Sequence, residues 1–351
     1  MLPYWILFGI FALAAVRAHE VEVGERTRQA WLIVASLLLT AFIGLRYEVG
    51  PDWDSYLNLF AIADRLDLGE ALARDDPGFF ALMWLVHAFD AEIWLVNLVC
   101  ATVFVAGLYA FAKRQPNMWL AFAVAIPYLV IVFAMSGVRQ ATAIGFILLG
   151  IAAYTDKKLY RFIFWVLCAA LFHASALLML IILALSFSRN RFQSVAILLI
   201  SAIPAYFLLS SSFDLYIERY SSRMLQSEGT LLRVLMNFIP AVLLLFWIRR
   251  FGFDRNDRLL WRNLAWVAIL CLPLLFVIPS STALDRVSLY IVPLQILVLT
   301  RLPGVLAGGT KHLVFWRILV VLLLAVVQFV YFEFSTHGKY YIPYKVYPLW
   351  T

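Results

Sequence analysis

Residues 160–187 read YRFIFWVLCAALFHASALLMLIILALSF, and the way this run crosses a bilayer decides the topology of the whole chain. It exceeds the ~20 residues that an ordinary helical span requires. Lys157, Lys158 and Arg161 stand at its start, and Arg189 and Arg191 beyond its end. Cations collect on the cytoplasmic side of membrane helices, so cations at both ends ask for both ends on one side. The run then folds as a hairpin of two short halves, turning near Phe172-His173-Ala174-Ser175. Backbone exposed at such a turn is tolerated only where it lines protein or a water-filled cavity. The competing reading is one long tilted helix. That would put Arg249, Arg250, Arg255, Arg258 and Arg262 outside, against the same charge rule, so the hairpin is expected.

The rest of the chain supports a membrane setting. Of 351 residues, 64% are hydrophobic and 14% charged, with mean hydropathy +0.89. Soluble domains are roughly half apolar and roughly a quarter charged, so the excess has to face lipid. Apolar runs of helical length fall near 3–17, 29–45, 91–112, 117–134, 138–154, 160–187, 193–210, 231–248, 262–279, 286–300 and 313–333. They predict an all-α, polytopic integral membrane protein of about 11–12 membrane segments. No linker or repeat divides it. The expectation is one domain over 1–351, with outer loops 46–90 and 210–230 and an outer tail 334–351. Residues 2–16 lack the positive region of a signal peptide, so the first segment is expected to be a retained helix. Cys100, Cys168 and Cys271 lie in apolar runs without metal or disulfide spacing and read as core filler. The net charge of +7 is scattered at segment ends, which excludes a nucleic-acid-binding run and points to topology signals.

With the hairpin, ten of the 28 Lys and Arg and fifteen of the 21 Asp and Glu fall outside. Several outer cations sit in polar clusters at membrane depth. Arg46 opens the block Arg46-Tyr47-Glu48-Val49-Gly50-Pro51-Asp52-Trp53-Asp54-Ser55-Tyr56, where Gly-Pro turns the chain after a helix. Taken alone, Arg46 suits a snorkelling anchor. Arg139 and Gln140 open a helix from outside, where unpaired N–H groups and a guanidinium together suit phosphate. His173 and Ser175 occupy the hairpin turn; a lone buried His is commonly core filler, yet its depth matches the other clusters. Asp285-Arg286 open a later segment with Tyr290 one turn on, and Asp285 has the simple option of neutralising Arg286. Arg219 and Arg223 share one face of an amphipathic stretch. Tyr340, Tyr344 and Lys345 return an aromatic, basic tail to the same side. Several arginines, a carboxylate or two and a histidine around one outer cavity suit a lipid-linked phosphate or diphosphate.

The succession GLRYEVGPDWDSYLNLF, GVRQATAIGF, ALFHASALLML and the late IPYK resembles the EpsG family of Wzy-type exopolysaccharide and capsule polymerases. The resemblance runs from the second segment to the tail. The family commonly has Gly-Thr-Asp-Tyr where this chain has Gly-Pro-Asp-Trp, with the Asp at Asp52 and Pro51 altering the loop. The resemblance implies polymerisation of undecaprenyl-diphosphate-linked oligosaccharide repeat units at the outer face of a bacterial inner membrane. A glycosyltransferase-C-like architecture is compatible with it. Under this reading Arg46, Arg139, Arg286 and Arg223 bind the diphosphate, and Asp52 or His173 takes the acceptor's proton. Tyr56, Gln140, Asp285, Tyr290 and Tyr344 are expected to contact substrate. The implied partners are the lipid-linked oligosaccharides, membrane lipid, and a chain-length regulator and flippase of the same pathway. No cofactor is demanded; Asp52 and Asp54 form an Asp-x-Asp pair able to hold Mg²⁺ or Mn²⁺, a minor alternative. Two other functions compete. A polyprenyl-phosphate-sugar glycosyltransferase would add a single sugar. A flippase would need charges through the membrane depth and access from both faces.

Overall fold

Long apolar runs can satisfy their backbone in lipid only as helices or closed barrels, and here they fold as helices. A computed structural model describes residues 1–18, 24–186, 229–277 and 281–349. In chain order the helices are α1 Leu2–Arg17, α2 Glu25–Gly44, α3 Trp53–Ala63, α4 Leu68–Leu72, α5 Pro77–Ala88, α6 Ile93–Ala112 and α7 Met118–Ala125. A π-helix, Ile126–Ala134, continues α7. Then come α8 Val138–Thr155, α9 Leu159–Phe172, a 3₁₀ turn Ala174–Leu177 and α10 Leu178–Ser186. The last group is α11 Thr230–Trp247, α12 Arg255–Val277, α13 Ser281–Leu289, α14 Val292–Leu306 and α15 Thr310–Phe334, closed by a 3₁₀ turn Gly338–Tyr341.

Among the described residues, seven helical stretches are long and apolar enough to cross a membrane: α2, α6, α8, α11, α12, Leu284–Leu306 and α15. Four shorter apolar helices, α1, α5, α9 and Met118–Ala134, accompany them. The chain is an all-α polytopic membrane protein. Two details differ from the sequence reading. The loop 46–90 contains three helices, of which α5 is a short apolar one, and segment 286–300 belongs to a pair, α13 and α14, joined at Tyr290-Ile291. The expected segment 193–210 lies outside the described residues.

Ion pairs between loops sort the helix ends onto two faces. On one, Arg114 pairs with Asp156 at 2.6 Å and Lys157 with Asp254, while Arg301 Nε donates to Gln115 Oε1 at 3.0 Å. On the other, the tail lies against the loop after α2. Tyr47 N donates to Lys345 O, Gly50 N to Tyr340 O and Tyr347 N to Leu45 O. Tyr4 Oη donates to Tyr341 O at 2.7 Å, which brings the start of α1 to that same face. Helix α9 runs from the Lys157 face and ends at Phe172; His173 is extended, with φ −161° and ψ 113°. Helix α11 leads from Thr230 to Trp247 and on into the loop of Asp254, which pairs with Lys157. Lys157 and Arg255 therefore share a face, as a hairpin requires. Helix α10 packs chiefly on α12, and α9 along α8.

The middle of the assembly is set by backbone approach. A Cβ on Gly107 of α6 would lie 2.0 Å from Gly145 O, and one on Gly145 of α8 would lie 2.5 Å from Phe104 Cα. Only small residues let membrane helices meet this closely. α8 is accordingly among the most buried spans, whereas α15 turns most of its surface outward. The π-helix ends beside this packed centre, at the face that carries the tail. Pro127 near its start has no N–H to give, and Val132 O accepts from Tyr341 Oη at 2.7 Å.

Candidate functional site

The turn after α2 is fixed by Arg46. Its side chain is 2% exposed, and Nη1 donates to Ile43 O at 2.8 Å, Nε to Val49 O at 3.3 Å and Nη2 to Asn97 Oδ1 at 3.4 Å. A helix C-terminus presents unpaired carbonyls and a partial negative charge, and the guanidinium answers both. Arg46 was expected among the diphosphate ligands; the structure instead turns it inward on main-chain acceptors, where it holds the turn. Gly50 has φ +103°, and a Cβ there would lie 2.2 Å from Met135 O. The loop thus rests directly on the end of the π-helix and carries Asp52 to Ser136, whose Oγ donates to Asp52 Oδ2 at 2.6 Å. Asp52 is exposed, as is Asp54. Tyr344 Oη donates to Phe42 O at 2.9 Å, and its ring stacks on Phe42 at 4.4 Å. Tyr344 thereby anchors the tail.

Arg139 stands at the second residue of α8. Its Nη1 donates to Asp76 Oδ2 at 2.8 Å, and its guanidinium lies 6.0 Å from the centre of the Tyr56 ring. A cation at a helix N-terminus is unfavourable, and the Asp76 carboxylate offsets it. Asp76 is the residue before α5, in left-handed backbone with φ 58° and ψ 58°, and its side chain makes no capping bond. An Asp in this position ordinarily caps the helix, a contribution of about 1 kcal/mol. Forgoing the cap in a left-handed conformation is the kind of local cost that collects at functional sites. Burial pushes the Asp76 carboxyl up to about 6, against the lowering pull of Arg139 and, more weakly, of Arg286; Asp75 adds to the rise.

His173, 8% exposed, closes the group. Ser175 Oγ lies 2.8 Å from His173 Nδ1 and donates to Tyr290 Oη at 3.3 Å. A hydroxyl has one proton. With that proton directed to Tyr290, Nδ1–H donates to Ser175 Oγ and the Nε2 lone pair is left for other chemistry. Arg139 and Arg286 both lie within electrostatic range of this imidazole, and Arg286 within range of Asp76 as well. Helices α3, α5, α8, α9 and α13 thus bring Tyr56, Asp76, Arg139, His173 and Arg286 into one region.

A family model matches residues 29–346 and spans all of these blocks at once, from the second helix into the tail. The chain belongs to the EpsG family. No curated protein and no solved structure matches it.

Other expected site residues of this EpsG-family chain fall differently. Asp285 pairs with Arg233 of α11. Asn237, one turn deeper on α11, donates to Ser288 O at 2.8 Å and ties α11 to α13. Gln140 follows Arg139 into α8, with its Nε2 buried. Arg223 and most of the loop 210–230 lie outside the described residues. Among the described residues, no third His, Cys, Asp or Glu joins Asp52 and Asp54 in a metal-ligand group. Two residues of this region carry no assigned role in the sequence reading. Asp76 was one acid among many in the loop 46–90; its signal was the Asp-Asp-Pro-Gly run, where Pro starts a helix. Arg233 stood out only as an outer cation near the start of an apolar run, with no partner indicated.

Proposed function

We propose that this protein is a polysaccharide polymerase that joins undecaprenyl-diphosphate-linked repeat units at the outer face of a bacterial inner membrane. Membership of the EpsG family supports an exopolysaccharide-polymerase role. The observation that carries the finer reading is the convergence of Arg139 and Arg286, from α8 and α13, on the region of His173. In the proposed step an acceptor hydroxyl attacks the anomeric carbon of the donor glycan. The bond from that carbon to the phosphate oxygen breaks, and its electron pair leaves with undecaprenyl diphosphate. Arg139 and Arg286 stabilise the charge developing on the diphosphate, the type of assistance usually largest in such reactions. His173 Nε2, with Nδ1 held by Ser175, accepts the acceptor proton, a contribution of roughly 10²–10⁴-fold. Asp52, exposed and bonded to Ser136, is the second candidate for that proton.

The test is glycan analysis in a strain lacking this gene. A single repeat unit accumulating on lipid supports polymerisation. Shortened repeat units missing one sugar would replace it with single-sugar transfer, and repeat units trapped on the cytoplasmic leaflet would replace it with transport.

A further inference from the structure

Building on the diphosphate reading above, we infer that Asp76 is the exchangeable counter-ion of Arg139. Its carboxylate holds the guanidinium in the resting protein, the donor diphosphate displaces it, and the freed carboxylate takes up a proton from solvent.

The geometry is that of a bond made to be exchanged. A single hydrogen bond, Nη1 to Oδ2, joins the two side chains, and not the two-pronged fork that makes Arg–carboxylate pairs strong. The two partners differ in access: the Arg139 side chain is 34% exposed and the Asp76 side chain 11%. A ligand can therefore reach the guanidinium while the carboxylate stays enclosed. Asp76 also leaves the first N–H groups of α5 without its side chain in order to face Arg139, so its placement serves the pair at the expense of its own helix.

Exchange has a fixed electrical consequence. Around Asp76 stand Asp75 in its own loop, Arg139 from α8 with Tyr56 of α3 beneath it, and Arg286 from α13; His173 at the end of α9 shares both arginines with it. A diphosphate diester brings two negative charges and engages both arginines. Asp76 then keeps its burial, loses the pull of its cations and gains an anionic neighbour. Each change favours the protonated form. Its carboxyl, already held up at about 6 in the resting protein, moves higher, so near neutral pH donor binding and proton uptake are linked. Affinity for the donor therefore rises as pH falls through this window. Asp76 acts through Arg139 and is a positioning residue.

The experiment uses the full chain in lipid nanodiscs and, as probe, undecaprenyl-diphospho-N-acetylglucosamine, a diester whose charges do not titrate near neutrality. Calorimetry at pH 7 in buffers of different ionisation enthalpy counts protons. Wild type should take up about 0.5–1 proton per lipid bound, with affinity falling roughly three- to tenfold from pH 6 to 7.5. Asp76→Asn should bind without uptake and with a flat pH profile, and Asp76→Glu should restore both. His173→Gln should keep the uptake, which separates Asp76 from the imidazole. Binding by wild type without proton uptake overturns the inference and leaves the diphosphate reading standing, as does undiminished uptake in Asp76→Asn. Absence of binding by wild type overturns the diphosphate reading and this inference with it. Should Asp76→Asn misfold, wild type and His173→Gln decide, and loss of uptake in His173→Gln overturns the assignment to Asp76.

Discussion

Ser175 Oγ lies 2.8 Å from His173 Nδ1 at the break between α9 and the following 3₁₀ turn. The two residues are separated by one position, yet they face each other because His173 is extended while Ala174–Leu177 turns tightly. The contact engages one ring nitrogen and leaves the other for the proton transfer proposed above. Ser175→Ala should lower polymer formation about tenfold or more, since an unheld imidazole samples both tautomers and several orientations. Polymer yield per unit of membrane-inserted protein is the measurement. Full activity in Ser175→Ala would show that the orientation of His173 does not matter.

The proton acceptor is the next test. His173→Gln should bind the lipid-linked donor normally yet extend it roughly 10²–10⁴-fold more slowly, because proton removal matters in the transition state and not in ground-state binding. Asp52→Asn should show a smaller defect. Single-turnover extension with purified variants checks both, and wild-type turnover in His173→Gln would pass the role to Asp52.

Two arginines should fail in opposite ways. Arg139→Lys keeps the charge but not the planar fork; normal protein levels with severe loss of polymer are expected. Arg46→Met would leave the carbonyls of Ile43 and Val49 without their donor, at about 1–3 kcal/mol for each buried group left unpaired. Loss of thermal stability in detergent is the expected signature. An Arg46→Met protein that is stable but inactive would return Arg46 to the ligand set.

The two-face arrangement makes a covalent prediction. Lys157 pairs with Asp254 across their loops, which sets both loops on one face, and Lys157→Cys should be labelled from the cytoplasm. A tag at the C-terminus should be reached from outside. Labelling of both sites from the same side would break the topology.

The contact between α6 and α8 tolerates no side chain. Gly145→Val should cost about 1–3 kcal/mol through forced separation of the backbones, read as lower abundance and earlier thermal unfolding. An unchanged melting temperature would mean that the helices do not approach as closely as Gly107 and Gly145 indicate.

The sequence by itself determined the class of fold and much of the placement of its polar clusters. An apolar excess of this size has only one solvent that accepts it, and runs of helical length with cations at their ends constrain the path through it. That is why Arg139, His173 and Arg286 could be assigned to one depth, and why the break at Phe172-His173 was legible as a polar interruption in an apolar run. The tertiary structure alone decided who pairs with whom. Asp76 meets Arg139 sixty-three positions away, Arg233 meets Asp285 across fifty-two, and Arg46 turns to the carbonyls of Ile43 and Val49 and to Asn97. Depth in a membrane follows from hydropathy, which sums along the chain. The direction in which a side chain points depends on the rotation and packing of each helix against its neighbours, and no single segment encodes that by itself.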